Sequence, residues 1–305
     1  MTDTTAGDPI TGLKWTRKTL RKLARRLRRK FKVGRTTVAR LLRLKRYALR
    51  VNRKRLSRHH DPERDRQMRY IARQRRKFLK AGWPIISVDT KKKELIGAFK
   101  NSGRSWRQAP VDVLTTDFLQ DAVGKAVPYG IYDVARNEGY VVVGQSHETA
   151  AFAVAAIRSW WLEVGRHAYP DCHDLLIEAD SGGANGHRNW LWKVGLQALA
   201  DEFGLTITVT HYPTSASKWN PVEHRLFSPI SGNWVGQPLS SFETVLKFIQ
   251  TTRTETWLRC RARLDTSEYA TGLKVTKAQK ALVHFGRPRI LPKYNYIICP
   301  RTEIP

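Results

Sequence analysis

The sequence lacks long apolar runs and has few cysteines. Its 305 residues include only three cysteines, Cys172, Cys260 and Cys299. Their spacing forms neither a CxxC pair nor a Cys/His zinc motif, so we expect reduced thiols rather than a disulfide framework. No stretch approaches the roughly 20 apolar residues that a membrane-spanning helix requires, and the polar N-terminus lacks the apolar region of a secretory signal. The sequence therefore predicts an intracellular protein without a membrane partner.

Acidic residues are also scarce. The chain has 26 Asp and Glu against 55 Lys and Arg, a formal net charge of +29. Residues 1–80 contain 29 of the basic and only 5 of the acidic residues, so most of the excess charge belongs to this segment. Such a basic module predicts a polyanionic partner, with a merely solvated basic surface as the alternative. Hydrophobic residues still make up 41% of the chain, enough for a packed core.

Residues 1–50 are predicted to form an all-α helix-turn-helix region after an irregular leader over residues 1–13. From Thr16 onward, apolar residues recur at helical spacing between arginines and lysines, and a second helix is predicted from Arg35. In a helix-turn-helix motif the second helix enters the major groove of DNA. A plain helical hairpin is the alternative. The predicted DNA contacts are Arg35, Thr36, Thr37 and Arg40.

Three further regions follow along the chain. Residues 51–82 are predicted to form a basic helical linker that ends near Gly82 and Pro84. Residues 83–250 alternate between strand and helix patterns and are predicted to form the main domain. Residues 251–305 are predicted to be a further small module at the C-terminal end.

The order of elements in residues 83–250 indicates an α/β fold. A buried strand ends at Asp89, with Leu95–Lys100 as its predicted hairpin partner, and an antiparallel hairpin follows. Helix, strand, helix, strand and helix come next, the last helix with Asn220 as its predicted cap. This order is the layout of a ribonuclease H-like core with a mixed sheet, in which strand ends and one later helix meet at an acidic site.

Three acidic residues occupy the elements that such a site requires. Asp89 ends the first strand, Asp180 ends the strand after the long helix, and Glu223 lies near the start of the later helix. Carboxylates are the ligands that Mg²⁺ prefers, and two ions about 4 Å apart can support in-line phosphoryl transfer. Taken singly, Asp180 could be a turn former and Glu223 a favourable charge at a helix N-terminus. Together they predict a metal-dependent site.

Four sequence blocks then resemble one known family. They are Ser87–Glu94, Ala179–Gly186, Lys218–Asn220 and Glu223–Phe227. Over about Leu13 to Arg301 the chain resembles the Rhodopirellula-type (ISAzo-type) DDE transposases of bacterial insertion sequences. The resemblance implies Asp89, Asp180 and Glu223 as catalytic acids and as ligands of Mg²⁺ or Mn²⁺, with two ions in the site.

The same resemblance implies how the protein acts. It implies binding to the terminal inverted repeats of an insertion sequence, cleavage of double-stranded DNA and strand transfer to target DNA. A homodimer or larger assembly on DNA, in the nucleoid of the bacterial cytoplasm, is expected. The alternatives are a transposase-derived DNA-binding repressor, an inactive truncated copy, or a nuclease that cuts without joining.

Side chains near the acids are further candidates for DNA contact, because phosphate oxygens attract cationic and amide groups. Glu94, Glu178 and the tryptophans at positions 160, 161, 190 and 192 are instead interpreted as structural. The candidates for DNA contact are Lys91, Lys92, Lys93, Asn185, His187, Lys218, His224 and Arg225.

Overall fold

The computed structural model describes residues 5–7, 14–16, 18–50, 62–216 and 219–301. The chain divides into two compact units, residues 1–58 and residues 59–305. In the part of the chain that is described, no helix is long and apolar enough to cross a membrane.

The first unit contains a small sheet and two helices. Strand β1 (Thr5–Gly7) pairs antiparallel with β2 (Lys14–Thr16), so the prediction of an irregular leader over residues 1–13 is wrong at Thr5–Gly7. Helix α1 (Leu20–Leu27) and helix α2 (Arg35–Leu44) follow, as the apolar spacing predicts. Thr19 caps α1 by accepting a hydrogen bond from the backbone N–H of Lys22 at 3.3 Å. The use of this helix pair as a helix-turn-helix stays a prediction.

Helix α3 (Arg64–Ala81) belongs to the second unit, so the linker prediction needs correction over residues 62–82. Its Phe78 is buried against Ile85 and Leu176 of the sheet, and this apolar contact makes the helix part of the core. Gly82, at a φ of 72°, ends the helix in the left-handed conformation that favours glycine. The linker residues 51–61 lie outside the described residues.

A mixed sheet of nine strands forms the centre of the second unit. The strands are β3 (Ile85–Thr90), β4 (Glu94–Ile96), β5 (Gly124–Asp133), β6 (Glu138–Gly144), β7 (Asp174–Ala179), β8 (Thr206–His211), β9 (Arg259–Asp265), β10 (Phe285–Gly286) and β11 (Asn295–Ile298). Its main path has the order β10-β11-β8-β7-β3-β5-β6-β9. Strand β3 is antiparallel to β5 and parallel to β7, and β7 is parallel to β8. The central order β6-β5-β3-β7-β8 confirms the predicted ribonuclease H-like core.

Helices cover both faces of this sheet. One face is packed by α4 and α6, with Trp160 and Trp192 fully buried as the structural interpretation of the tryptophans predicts. The other face is packed by the segment from Glu223 onward and by α8. The described helices of this unit are α4 (Ala150–Trp160), α5 (Arg166–Ala168), α6 (Trp190–Phe203), α7 (Ser228–Asn233), α8 (Phe242–Thr251) and α9 (Lys277–Ala281). Two π-helical turns, Trp161–Gly165 and Glu223–Phe227, lead into α5 and α7.

One predicted strand pairing and one predicted domain boundary differ from the structure. Strand β4 pairs with β5 rather than with β3, because β5 extends past the end of β3 and offers the free edge. Residues 251–305, predicted as a separate module, supply β9, β10 and β11 to the central sheet. Strand β9 pairs in parallel with β6 and β11 pairs antiparallel with β8, so the boundary at residue 251 needs correction.

Candidate active site

Two of the three acids lie where neighbouring parallel strands end. Asp89 is in the last part of β3, and Asp180 directly follows β7. In the β3–β7 register, Val88 is opposite Ala179, so the two acids occupy adjacent positions at one edge of the sheet. Parallel strands bring their carboxyl ends together in this way whatever the intervening sequence. Both side chains are half-buried.

The third acid approaches from the segment that packs across β5 and β6. Glu223 begins the π-helical turn, and Leu226 and Phe227 in the same turn are buried against the sheet. Glycines permit this approach. Gly130 is opposite Asp89 in the β3–β5 register, and a Cβ atom there would lie 2.3 Å from Cε1 of Phe227. Any larger residue would force the buried Phe227 side chain, in the turn that begins at Glu223, to shift.

The acids influence one another electrostatically. Burial, then the negative charge of Asp180 and that of Glu223, hold the pKa of Asp89 well above its usual range. A hydrogen bond to the Glu223 side chain acts in the same direction. The pKa of Asp180 is also raised, chiefly by burial, although the hydrogen bond from Asn220 opposes the shift. Like charges in a partly desolvated site produce this pattern, which a bound cation would relieve.

The donor set of the three acids suits Mg²⁺ or Mn²⁺, since all of its atoms are carboxylate oxygens. Among the residues that the structure describes, no three acidic, histidine or cysteine side chains are already grouped as a ligand set. The three acids are therefore near enough to shift the pKa of Asp89 without converging on one point. Their chemistry fits a divalent ion.

A hydrogen-bonded chain holds the backbone of Asp180. The indole N–H of Trp192 donates to the Tyr296 hydroxyl at 2.9 Å, and that hydroxyl lies 3.0 Å from Nε2 of His211. Nδ1 of His211 lies 2.9 Å from the carbonyl oxygen of Asp180. Because a carbonyl can only accept, Nδ1 carries the proton and Nε2 accepts from Tyr296. Burial lowers the pKa of His211 to about 3, so the imidazole is neutral.

Comparison with known proteins decides the family. Residues 1–300 match the family model described as Rhodopirellula transposase DDE domain. The chain belongs to this family of DDE transposases. The resemblance found in the sequence is thereby confirmed. The search of curated proteins finds no match.

Solved structures of the Mos1 transposase show a more distant likeness. The paired-end complex with the left transposon end is 17% identical with a TM-score of 0.46, and the match covers 76% of this chain and 65% of the Mos1 chain. The pre-cleavage Mos1 transpososome is 16% identical, with a TM-score of 0.46 and coverages of 76% and 66%. The chain thus spans less than two-thirds of the Mos1 chains, and at these TM-scores the likeness carries no argument.

Three of the predicted DNA contacts in this DDE chain have structural partners instead. Lys91 is buried, its Nζ bonds Oε1 of Glu94 at 2.5 Å, and it lies 4.6 Å from the centre of the Trp234 ring. Asn185 is buried and accepts a hydrogen bond from the Tyr129 hydroxyl at 3.0 Å. Burial leaves little of these two side chains accessible in this structure, and their contact with DNA stays a prediction. His187 is half-buried, with Nδ1 3.0 Å from the carbonyl oxygen of Ser181, which closes the glycine-rich loop.

The remaining candidates stay predictions. Lys92, His224 and Arg225 are exposed near the acids, and exposed Lys93 lies 3.4 Å from Glu148. In the first unit, Thr37 is half-buried, whereas the other three candidates on α2 are exposed. Lys218 lies outside the described residues. The exposed set comprises Arg35, Thr36, Arg40, Lys92, Lys93, His224 and Arg225.

Sequence reasoning also missed residues that shape the site. Asn220, predicted as a helix cap, directs its side chain to Asp180 and Ser87 instead. The hydroxyl of Ser87 takes the capping role by accepting the backbone N–H of Val222 at 3.0 Å. His211 and Tyr296 carried no signal beyond strand periodicity. Ser87 is a polar residue within an otherwise apolar strand, and this was the one sign in the sequence that its side chain has a role at the site.

Repulsion among the acids predicts that divalent cations stabilise the protein. Because the folded-state pKa of Asp89 lies above its unfolded value of about 4, the metal-free protein loses stability as pH rises from there through the raised pKa. We expect Asp89→Asn to raise the melting temperature of the metal-free protein near about pH 8. The gain corresponds to about 1–3 kcal/mol at roughly 1.4 kcal/mol per pKa unit. Thermal melts with and without Mn²⁺ measure both effects.

The control for this prediction is Asp117→Asn, the same chemical change at an exposed residue. It should leave the melting temperature and its response to Mn²⁺ as in the wild type. Asp89→Asn should reduce the rise that Mn²⁺ produces. Equal melting temperatures of the wild type with and without Mn²⁺ would contradict a cation at these acids.

Proposed function

We propose that this chain is a transposase that cleaves double-stranded DNA at the terminal inverted repeats of its insertion sequence and transfers the ends to target DNA. The observation that carries the proposal is that Asp89, Asp180 and Glu223 come from three separate elements and lie near enough to raise the pKa of Asp89, in a chain of the DDE family. A role that requires negative charge explains three half-buried acids whose repulsion a purely structural role would avoid.

Asp89, Asp180 and Glu223 would hold the divalent ions, Mg²⁺ or Mn²⁺ and in the proposed site two of them. When bound, such ions activate the attacking oxygen and stabilise the leaving oxygen in phosphoryl transfer. The chain's own residues orient these carboxylates. His211 holds the backbone of Asp180, and Phe227, in the turn that begins at Glu223, packs against Gly130, which is opposite Asp89 in the sheet. The same arrangement accepts water or a DNA 3′-hydroxyl as the attacking group.

DNA binding is assigned chiefly to the basic first part of the chain. Residues 1–80 carry 29 basic and 5 acidic residues, and Arg35, Thr36 and Arg40 form an exposed group on α2. Cationic side chains bind phosphates without reading sequence, so base contacts from α2 would supply preference for the inverted repeats. Lys92, Lys93, His224 and Arg225 would contact DNA near the acids. Because two element ends must be brought together, we propose a homodimer or larger assembly on DNA of the bacterial nucleoid.

The test is a cleavage and joining assay on the full chain. Purified protein is incubated with labelled element ends, a target plasmid, and Mg²⁺ or Mn²⁺, and the products are separated on denaturing gels. We expect nicking next to the inverted repeat and joined products, both abolished by a chelator. Cutting without joining would indicate a nuclease. Binding without chemistry in either metal would instead indicate a transposase-derived repressor or an inactive copy.

A further inference from the structure

Asn220 lies between the segments that carry the three acids and is completely buried. Its side-chain nitrogen donates a hydrogen bond to Oδ1 of Asp180 at 3.1 Å. Its side-chain oxygen accepts a hydrogen bond from the hydroxyl of Ser87. A fully buried amide with both ends bonded has one orientation available, because rotation would break both contacts.

The chemistry of the partners determines which way the amide points. An ionised carboxylate can only accept hydrogen bonds, so the NH₂ group of Asn220 must face Asp180. The amide oxygen then faces Ser87, whose hydroxyl donates to it and accepts the backbone N–H of Val222 at 3.0 Å. The Asn220 amide and the Ser87 hydroxyl therefore each donate one hydrogen bond and accept one, with no group used in conflicting roles.

This chain of hydrogen bonds reaches all three acid-bearing segments. Ser87 lies two residues before Asp89, and alternate residues of a strand share one face of the sheet. Asn220 itself contacts the carboxylate of Asp180. At the other end, the backbone N–H that Ser87 accepts belongs to Val222, next to Glu223. These hydrogen bonds therefore link the strand that carries Asp89, the carboxylate of Asp180 and the start of the turn that carries Glu223.

We propose that Asn220 is a positioning residue that sets the orientation of the Asp180 carboxylate relative to Asp89 and Glu223, and so sets the affinity of the site for a divalent cation. The inference rests on the proposed metal-dependent function. An amide suits this task because it donates to a carboxylate without adding charge. An acid at this position would add repulsion to the site, and a lysine would compete with the cation.

Direct titration of the DNA-free full chain with Mn²⁺ tests the inference. Asn220→Ala should weaken Mn²⁺ binding, followed by calorimetry or by the electron spin resonance of free Mn²⁺, by about 10- to 100-fold. In the cleavage assay, the Mn²⁺ concentration for half-maximal rate should rise by a similar factor. The KM for DNA should stay within about twofold, because the Asn220 side chain is completely buried.

The matched control is Gln197→Ala, which removes another buried amide of the same unit. Gln197 donates to Asp201 and to the carbonyl of Cys299 and touches none of the three acids. It should lower thermal stability while leaving Mn²⁺ affinity unchanged. If Asn220→Ala also lowers only stability, the positioning role is overturned.

A second variant keeps the test decisive if Asn220→Ala does not fold. Ser87→Ala removes the hydroxyl that orients the amide and should weaken Mn²⁺ binding in the same direction by a smaller factor. Unchanged Mn²⁺ affinity in Ser87→Ala would also count against the proposal. A wild-type chain that binds no Mn²⁺ would overturn the proposed metal-dependent function first, and the positioning role with it. If the wild type binds Mn²⁺ without cleaving DNA and Asn220→Ala binds it more weakly, the positioning role is supported while the transposase activity is contradicted.

Discussion

Asp180→Asn is expected to abolish DNA cleavage and joining while leaving DNA affinity unchanged or slightly higher. The substitution keeps the size of the side chain, and its amide oxygen can still accept the hydrogen bond that Asn220 now gives to Asp180 at 3.1 Å. It removes one anionic ligand from the proposed metal site. Such metals contribute several kcal/mol of charge stabilisation in the transition state, and each 1.4 kcal/mol changes the rate about tenfold. We therefore expect the rate of DNA cleavage to fall by about 10³-fold or more.

Gel-shift titration and the cleavage assay, run on the same preparations, separate the two effects. Removing one negative charge near phosphate should not weaken binding. Asp117→Asn, at an exposed position, makes the same chemical change and should cleave as the wild type does. An Asp180→Asn protein that still cleaves within about tenfold of wild type, or that no longer binds DNA, would contradict the role assigned to Asp180.

Arg75→Met is expected to destabilise the second unit by about 3–5 kcal/mol, because it leaves the buried Glu178 without its cationic partner. Nε of Arg75 donates to Oε1 of Glu178 at 2.9 Å, and its Nη2 donates to Oε2 and to the Tyr212 hydroxyl. Glu178 is completely buried. Methionine conserves much of the arginine stem, so lost packing contributes little of the effect. Urea denaturation followed by tryptophan fluorescence measures the change.

Pairing this change with Glu178→Gln provides the control. The double variant removes both charges, so it should recover a substantial part of the stability that Arg75→Met loses. Glu178 precedes Asp180 by two residues, yet neither residue of the pair contacts the acids in the hydrogen bonds described. Mn²⁺ affinity of the folded variants should therefore stay as in the wild type. A loss below about 1 kcal/mol in Arg75→Met would show that Glu178 is stabilised in another way.

Local sequence patterns were sufficient for the central part of the fold. Alternation and short apolar runs predicted β3, β7 and β8, and helical spacing predicted α4 and α6. Most residues of these strands and one face of each helix are buried, so their apolar patterns are strong. Pairing between distant strands carries no such local signal. Strands β9 and β11 therefore looked like parts of a separate module, although they extend the same sheet at its two sides.

The π-helical turn at Glu223–Phe227 illustrates a second limit. The sequence predicted an ordinary helix capped by Asn220, because asparagine before proline is a common start of a helix. In the folded protein, the Asn220 side chain is hydrogen-bonded to Asp180 and Ser87 instead of capping the helix. Both partners are more than 30 residues away along the chain, so no local pattern contains them. The altered turn is a consequence of tertiary packing rather than of helix propensity.

The sequence by itself predicted which acids belong together, because Asp89, Asp180 and Glu223 stand in blocks that resemble one family. It also determined the charge asymmetry, which is a matter of counting residues. Tertiary structure alone decided which neighbours face the acids and which are buried. Lys91 and Asn185 look like DNA contacts in the sequence but lie in the interior, whereas Asn220 and His211 hold Asp180. Burial and hydrogen-bond partners depend on contacts between distant segments, and these contacts exist only once the sheet has formed.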